Sequence, residues 1–177
     1  MKFTDYIESD KNMYIESGRI KWLKKCLFRE HEYYVWKFVK LLRKEEYHKK
    51  NNNLFRQQWY LYLKNRLGSK LGFTVPAGVF GPGVKIWHYG TIVVNGYAEI
   101  GRNCILHGNN CIGNDGISDK APRIGNNVDI GFGAIIIGDV EIADNITIGA
   151  GAVVVSSFLE ENSVIVGVPA KKLNTKI

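Results

Sequence analysis

The chain has 177 residues, 45% of them hydrophobic and 23% charged, and a formal net charge of +7, which suits one compact domain with an appendage. No run approaches the roughly 18 uninterrupted apolar residues of a membrane span, and the opening MKFTDYIESDK lacks the apolar centre of a signal peptide. Cys26, Cys104 and Cys111 fit neither a disulfide framework nor a paired-cysteine metal site, so reduced thiols in the cytoplasm are expected, with Cys104 and Cys111 structural. The charge is uneven: residues 1–70 hold 17 Lys or Arg against 8 Asp or Glu, and the remainder 7 against 9. A basic, aromatic-rich front fits nucleic acid or an anionic membrane surface. Its charges alternate with apolar residues at helical spacing, however, and the reading adopted is a solvated helical face.

A short helix is predicted over Ile20 to Leu27, behind Ser17-Gly18. Residues 29–50 carry Tyr34, Trp36, Phe38, Val39, Leu41 and Leu42 among mixed charges without Gly or Pro, the pattern of an amphipathic helix. Asn51 to Asn53 separate it from a second such run, Leu54 to Leu67, with Gly68 as a stop. At Gly72 the composition changes to Gly, Val and Ile, which divides the chain into a helical region, 1–72, and a repeat region, 73–177.

In the repeat region a branched aliphatic returns every sixth position: Ile100, Leu106, Ile112, then Ile124, Ile130, Ile136, Ile142, Ile148 and Val154. A fixed period of this kind signals stacked units that bury their apolar faces only against one another. Short strands are expected to wind round a prism, three hexapeptides to a turn. Eight residues instead of six separate Ile92 from Ile100, a bulge of two, and the polar stretch from Gly113 to Arg123 leaves the prism as a loop. Gly167 to Lys172 breaks the ladder and closes the last coil. On this count Leu106 stacks on Ile86, which sets His107 over Trp87 and beside His88.

The hexapeptides, the segment Ile86-Trp87-His88-Tyr89-Gly90-Thr91-Ile92-Val93-Val94 and the ending Gly167-Val168-Pro169-Ala170-Lys171 resemble the hexapeptide-repeat acyltransferases. The nearest likeness is the serine acetyltransferase branch with its relatives that acetylate sugars in capsule and exopolysaccharide assembly. Over residues 73–173 the resemblance implies a mainly β fold, a left-handed parallel β-helix behind the α-helical front, assembled as a homotrimer with acetyl-CoA in a groove between prisms. It places His88 on the family's catalytic position. An imidazole suits that task, since a hydroxyl must lose its proton while attacking a thioester. His107 would border the site as an acceptor contact, and His31 and His48 fall in the helical front, where a solvated role is expected. Zinc held by three histidines, as in a related carbonic anhydrase family, is not expected with only His88 and His107 in the repeat region.

For acetyl-CoA the resemblance carries over Gly113 and Asn114 at the loop, Gly131 with Phe132 and Gly149 with Ala150 at coil corners, and Lys171 with Lys172 near the phosphates. Amides near Gly113 or Gly131 are candidates for the oxyanion. The acceptor side departs from the serine pattern: Trp87 stands where that family has an acid before the histidine, Phe73 where it has the dyad Asp, and Lys120-Ala121-Pro122 where it has Arg-His-Pro. A zwitterion wants both charges met, whereas Trp87 and Tyr89 offer a pyranose an apolar face, although both also suit trimer packing. Trp87, Tyr89, His107, Asp115 and Lys120 are thus the candidate acceptor residues, and a surface-polysaccharide sugar hydroxyl the expected acceptor. The alternatives are a serine acetyltransferase, with Ile177 ending the chain as in that family, and a non-catalytic trimeric scaffold docked through its basic helices to a polysaccharide assembly complex. Nucleic acid is not an expected partner.

Overall fold

The computed structural model describes residues 3–15 and 18–173. Among the described residues four helices come first: α1 (Phe3–Ile15), α2 (Arg19–Leu27), α3 (His31–Lys50) and α4 (Leu54–Leu71). The helix expected over residues 29–50 starts later, because Arg29 has φ 52 and Glu30, its N-cap, is extended. Gly68 does not stop α4. It is buried inside the helix, where a Cβ would come within 2.7 Å of the Phe73 carbonyl oxygen and 3.1 Å of the Phe38 ring, so its bareness serves close packing. Gly72 ends the helix in the left-handed conformation, its amide bonded to the Gly68 carbonyl.

From there the described residues form fourteen strands: β1 (Phe73–Thr74), β2 (Lys85–Ile86), β3 (Ile92–Val94), β4 (Glu99–Ile100), β5 (Ile105–Leu106), β6 (Cys111–Gly113), β7 (Arg123–Ile124), β8 (Asp129–Ile130), β9 (Ile135–Ile137), β10 (Glu141–Ile142), β11 (Thr147–Ile148), β12 (Val153–Val154), β13 (Val164–Val166) and β14 (Lys171–Lys172). They fall into three sheets of five, three and six strands, ordered β1-β3-β6-β9-β12, β10-β7-β4 and β14-β13-β11-β8-β5-β2. From β2 to β12 successive strands visit the sheets in rotation, so the chain coils around three faces with parallel pairing between coils. One column of rungs is Ile86, Leu106, Ile130, Ile148 and Ile165; the others run Val94, Ile112, Ile136, Val154 and Ile100, Ile124, Ile142. All are buried, and each gives roughly 1.5–3 kcal/mol of burial free energy that a single coil could not obtain. Among the described residues only β14 runs antiparallel, against β13, where it closes the last coil.

The register corrects the place of the two-residue insertion. Val94, not Ile92, pairs with Ile112, so six positions lead from Val94 to Ile100 and eight from Ile86 to Val94. The extra residues therefore sit in the segment that carries His88. The loop between Ile112 and Ile124 does leave the prism, with no strand from 114 to 122.

The basic front is less solvated than its pattern suggests. Arg43 and Asp10 are 1% and 0% exposed and joined at 2.7 Å. The guanidinium also donates to the carbonyls of Phe80 (2.8 Å) and Gly81 (2.6 Å), while Asp10 accepts the amides of Gly83 (2.7 Å) and Val84 (2.9 Å). Burial alone would lower the Arg43 pKa, but its bonds and charge contacts with Asp10 and Glu46 raise it. Lys64, also buried, lies 2.8 Å from Glu45 and donates to the Val75 carbonyl at 2.9 Å. The Tyr14 hydroxyl accepts the Ile86 amide (3.0 Å), and burial raises its pKa. These contacts fasten α1, α3 and α4 to the first coil.

Candidate active site

The Trp87 to Thr91 segment leaves the six-stranded sheet at Ile86 and enters the five-stranded one at Ile92, so it forms the corner between them. It is pinned from both sides. The Gly90 amide donates to the Leu71 carbonyl and that of Ile92 to Gly72, each at 2.9 Å, where a Cβ on Gly72 would strike the Gly90 oxygen at 2.6 Å. From the next coil Asn109 accepts the Thr91 amide at 2.9 Å. The end of α4 and the second coil thus hold a bulge whose His88 and Tyr89 side chains are exposed.

His88 stacks on His31, the first residue of α3, with ring centroids 5.3 Å apart and planes 23° apart; Tyr89 meets the same ring edge-on at 6.2 Å. His31 is therefore not a solvated surface residue, and neither is His48, which is buried and stacked on Tyr60. Phe73, in the place of the dyad carboxylate, is buried against Phe38. His107 does lie beside Trp87, at 6.2 Å between rings, and its Nε2 is 2.8 Å from Asp129 Oδ1. Among the described residues this is the one histidine paired with a carboxylate. Asp129 went unrecognised in the sequence because the loop adds six positions to the coil that brings β8 onto β5. Trp87 is half-buried, with the Lys85 ammonium 3.9 Å over its ring; one of its faces is already occupied, and Tyr89, 56% exposed, is the freer aromatic.

The same corner continues upward. Phe132 of the following coil lays its ring against Gly108: a Cβ there would sit 3.2 Å from that ring and 3.5 Å from the His88 Cβ. Gly149 and Ala150 come one coil later, and Lys171 and Lys172 are exposed on β14 at the end of the six-stranded sheet, Lys172 paired with Glu160. The Gly131 amide is engaged by the Ile148 carbonyl at 2.8 Å, so it is not a free oxyanion donor. Gly113 and Asn114 occupy a different corner, between the five- and three-stranded sheets. So do Asp115, which accepts the Ile117 and Ser118 amides of its own loop at 2.9 Å, and Lys120, 2.6 Å from Asp139. The Ser118 and Ile117 amides also depress the Asp115 pKa. Within the single chain these four residues are not brought to His88.

Stacked hexapeptide coils behind a helical front, with a histidine bulge on one corner, have the architecture of the serine acetyltransferase-like hexapeptide-repeat acyltransferases. The comparisons agree on that fold. A probable serine acetyltransferase of Oryza sativa subsp. japonica is 33% identical over 90 residues, 49% of this chain, which thereby spans 30% of the rice protein. Soybean serine acetyltransferase complexed with serine superposes with a TM-score of 0.80 over 97% of this chain and 69% of its own, at 24% identity. The serine acetyltransferase of Brucella abortus strain S19 in complex with coenzyme A gives 0.66 over 76% and 54%, at 27% identity. No protein-family model matches the chain. Ile177 lies outside the described residues.

Proposed function

We propose that the chain is an acetyl-CoA-dependent O-acetyltransferase of the serine acetyltransferase type, with L-serine as its acceptor. The observation that carries this reading is the His88 bulge, held at a corner whose later coils present Gly131, Gly149 and Ala150. The relatives named above support it, all being serine acetyltransferases, one with serine and one with coenzyme A bound. The small residues leave room along the corner for an extended thiol arm, and Lys171 is an exposed cation at its end. Acetyl-CoA would supply an activated thioester. His88 accepts the hydroxyl proton as the oxygen attacks, and the imidazolium returns that proton to the departing thiolate, so no covalent enzyme intermediate is needed. The left hand of the coil, the trimer, the division at residue 72 and a cytoplasmic site of action belong to the same proposal. Among the described residues no helix is long and apolar enough to cross a membrane.

A sugar hydroxyl is the second reading, favoured by Phe73 and Trp87 standing where an amino-acid acceptor would meet carboxylates. The occupied face of Trp87 weakens it. Acetyl-CoA-dependent thiol release with L-serine, against a panel of sugars, separates the two; release with sugars alone overturns the serine reading. His88→Ala should lower turnover by about 100- to 10,000-fold, and near-normal turnover would remove His88 as the base. Absence of coenzyme A binding would leave the scaffold reading.

A further inference from the structure

Helix α2 turns one stripe inward and another outward. Trp22 is buried against Tyr14, with ring centroids 6.3 Å apart, and Cys26 is half-buried. On the opposite side Ile20, Leu23 and Leu27 are 74%, 66% and 76% exposed, and Phe28, at the helix end, 73%. Positions 20, 23 and 27 share one helical face. Exposed Lys21 and Lys24 lie along one edge of that face. Residues 19–29 contain Arg19, Lys21, Lys24, Lys25 and Arg29 and no acid; Lys25 turns away to pair with Glu32.

An uncovered apolar stripe this bare needs an occupant. A second copy of the same stripe, packed face to face, would bring Lys21 and Lys24 against their own counterparts with no carboxylate on α2 to neutralise them. An anionic lipid surface meets both requirements at once, taking the aliphatic side chains into the headgroup boundary and matching the ammonium groups with lipid charge. We propose that α2 docks this protein on anionic membrane surfaces. His31, four residues after Leu27, stacks on His88, so docking would hold the acetyl-transfer corner close to the lipid headgroups.

The test is co-sedimentation of the full chain with vesicles of phosphatidylcholine alone or with about one-third phosphatidylserine, at low and high salt. Binding to the phosphatidylserine vesicles at least tenfold above that to phosphatidylcholine, and weakened by salt, is expected. Leu23→Glu with Leu27→Glu, and separately Lys21→Glu with Lys24→Glu, should each abolish it without changing circular dichroism or mass in solution. Equal binding to both vesicle types, or binding untouched by either pair, overturns the proposal. A fall in oligomeric mass in the leucine pair also overturns it, because the stripe would then be covered by another copy. Thiol release with soluble acceptor, measured on the same proteins, keeps the two readings apart: both pairs retain it if only docking is lost. Its absence from every protein, with vesicle binding intact, fails the catalytic reading alone.

Discussion

At the scale of single residues, a carboxylate stands behind His107 and, among the described residues, none pairs with His88. Asp129 Oδ1 lies 2.8 Å from His107 Nε2, and in the tautomer that donates from that nitrogen the other ring nitrogen is an acceptor. We expect the pair to work as a unit, so that His107→Asn, Asp129→Asn and the double variant lower acetyl transfer by the same factor, about tenfold, the worth of one charge-assisted hydrogen bond. Steady-state rates of the three variants measure this; a double variant far worse than either single one would show that the residues act separately. Arg43 is a residue-scale device of another kind. Removing it strands Asp10, fully buried, with two amides and no cation, and Arg43→Met is expected to cost about 3–5 kcal/mol in urea denaturation. Neither pair could be read from the sequence. Asp10 and Arg43 meet across 33 positions in a region whose charge pattern reads as a solvated face, and Asp129 meets His107 only once the length of the protruding loop is counted into the coil. His88 could be singled out as the candidate base because the motif around it is contiguous.

Elements of this fold are corners as much as strands. Asn103, Asn127, Asn145 and Asn162 all have φ between 54 and 59, and the side-chain amide of Asn103 bonds to Asn127, and that of Asn127 to Asn145, at 2.9 Å each. Left-handed backbone costs most residues roughly 1–2 kcal/mol and Asn much less, so all four turn their corners, and Asn103 and Asn127 also staple theirs to the next. Asn127→Ala should therefore destabilise more than Asn127→Gly, which loses the staple but keeps the turn, and the order of urea midpoints checks this. Asp144 performs a similar service one residue earlier, accepting the side chain and amide of Asn126, and these bonds lower its pKa below the ordinary 3.8. A depressed carboxylate stabilises above its unfolded value and loses that effect as pH falls through its folded one. Asp144→Ala should thus melt below the parent protein at neutral pH, and the gap should close as pH drops under about 3.8. At this scale the sequence was informative about rungs, which repeat strictly, and misleading about the insertion. Ile92 and Val94 are both buried, so either satisfies an aliphatic count, and only pairing with Ile112 distinguishes them. Helix α1 left no sequence signal strong enough to read, because its inward face includes Asp10 as well as Tyr14.

For the whole molecule the outer faces of the three sheets differ in kind. The three-stranded sheet presents Glu99, Arg123 and Glu141, with Arg123 within 3.8 Å of Glu141, as a solvated wall should. The five-stranded sheet presents Val93, Cys111, Ile135 and Val153 in one register column, joined by Ile137 and by Val155 at 55% exposure. An apolar column of that length is better covered than wet, and it borders the corner that bears His88, Phe132 and Ala150. Association through this face would turn an open corner into a cleft walled by a neighbour. It could also bring that neighbour's Gly113 to Lys120 segment, which sits at the sheet's other edge, toward His88. Ile135→Asp places a charge in the middle of the column while leaving every residue of the bulge in place. The expected outcome is a monomer by light scattering, with a far-ultraviolet circular dichroism spectrum like that of the parent chain, and acetyl transfer reduced to the level of His88→Ala. A monomeric Ile135→Asp that transfers acetyl at the parent rate would mean that one protomer holds the complete site, and the separation of Asn114 and Lys120 from His88 would then exclude both from catalysis.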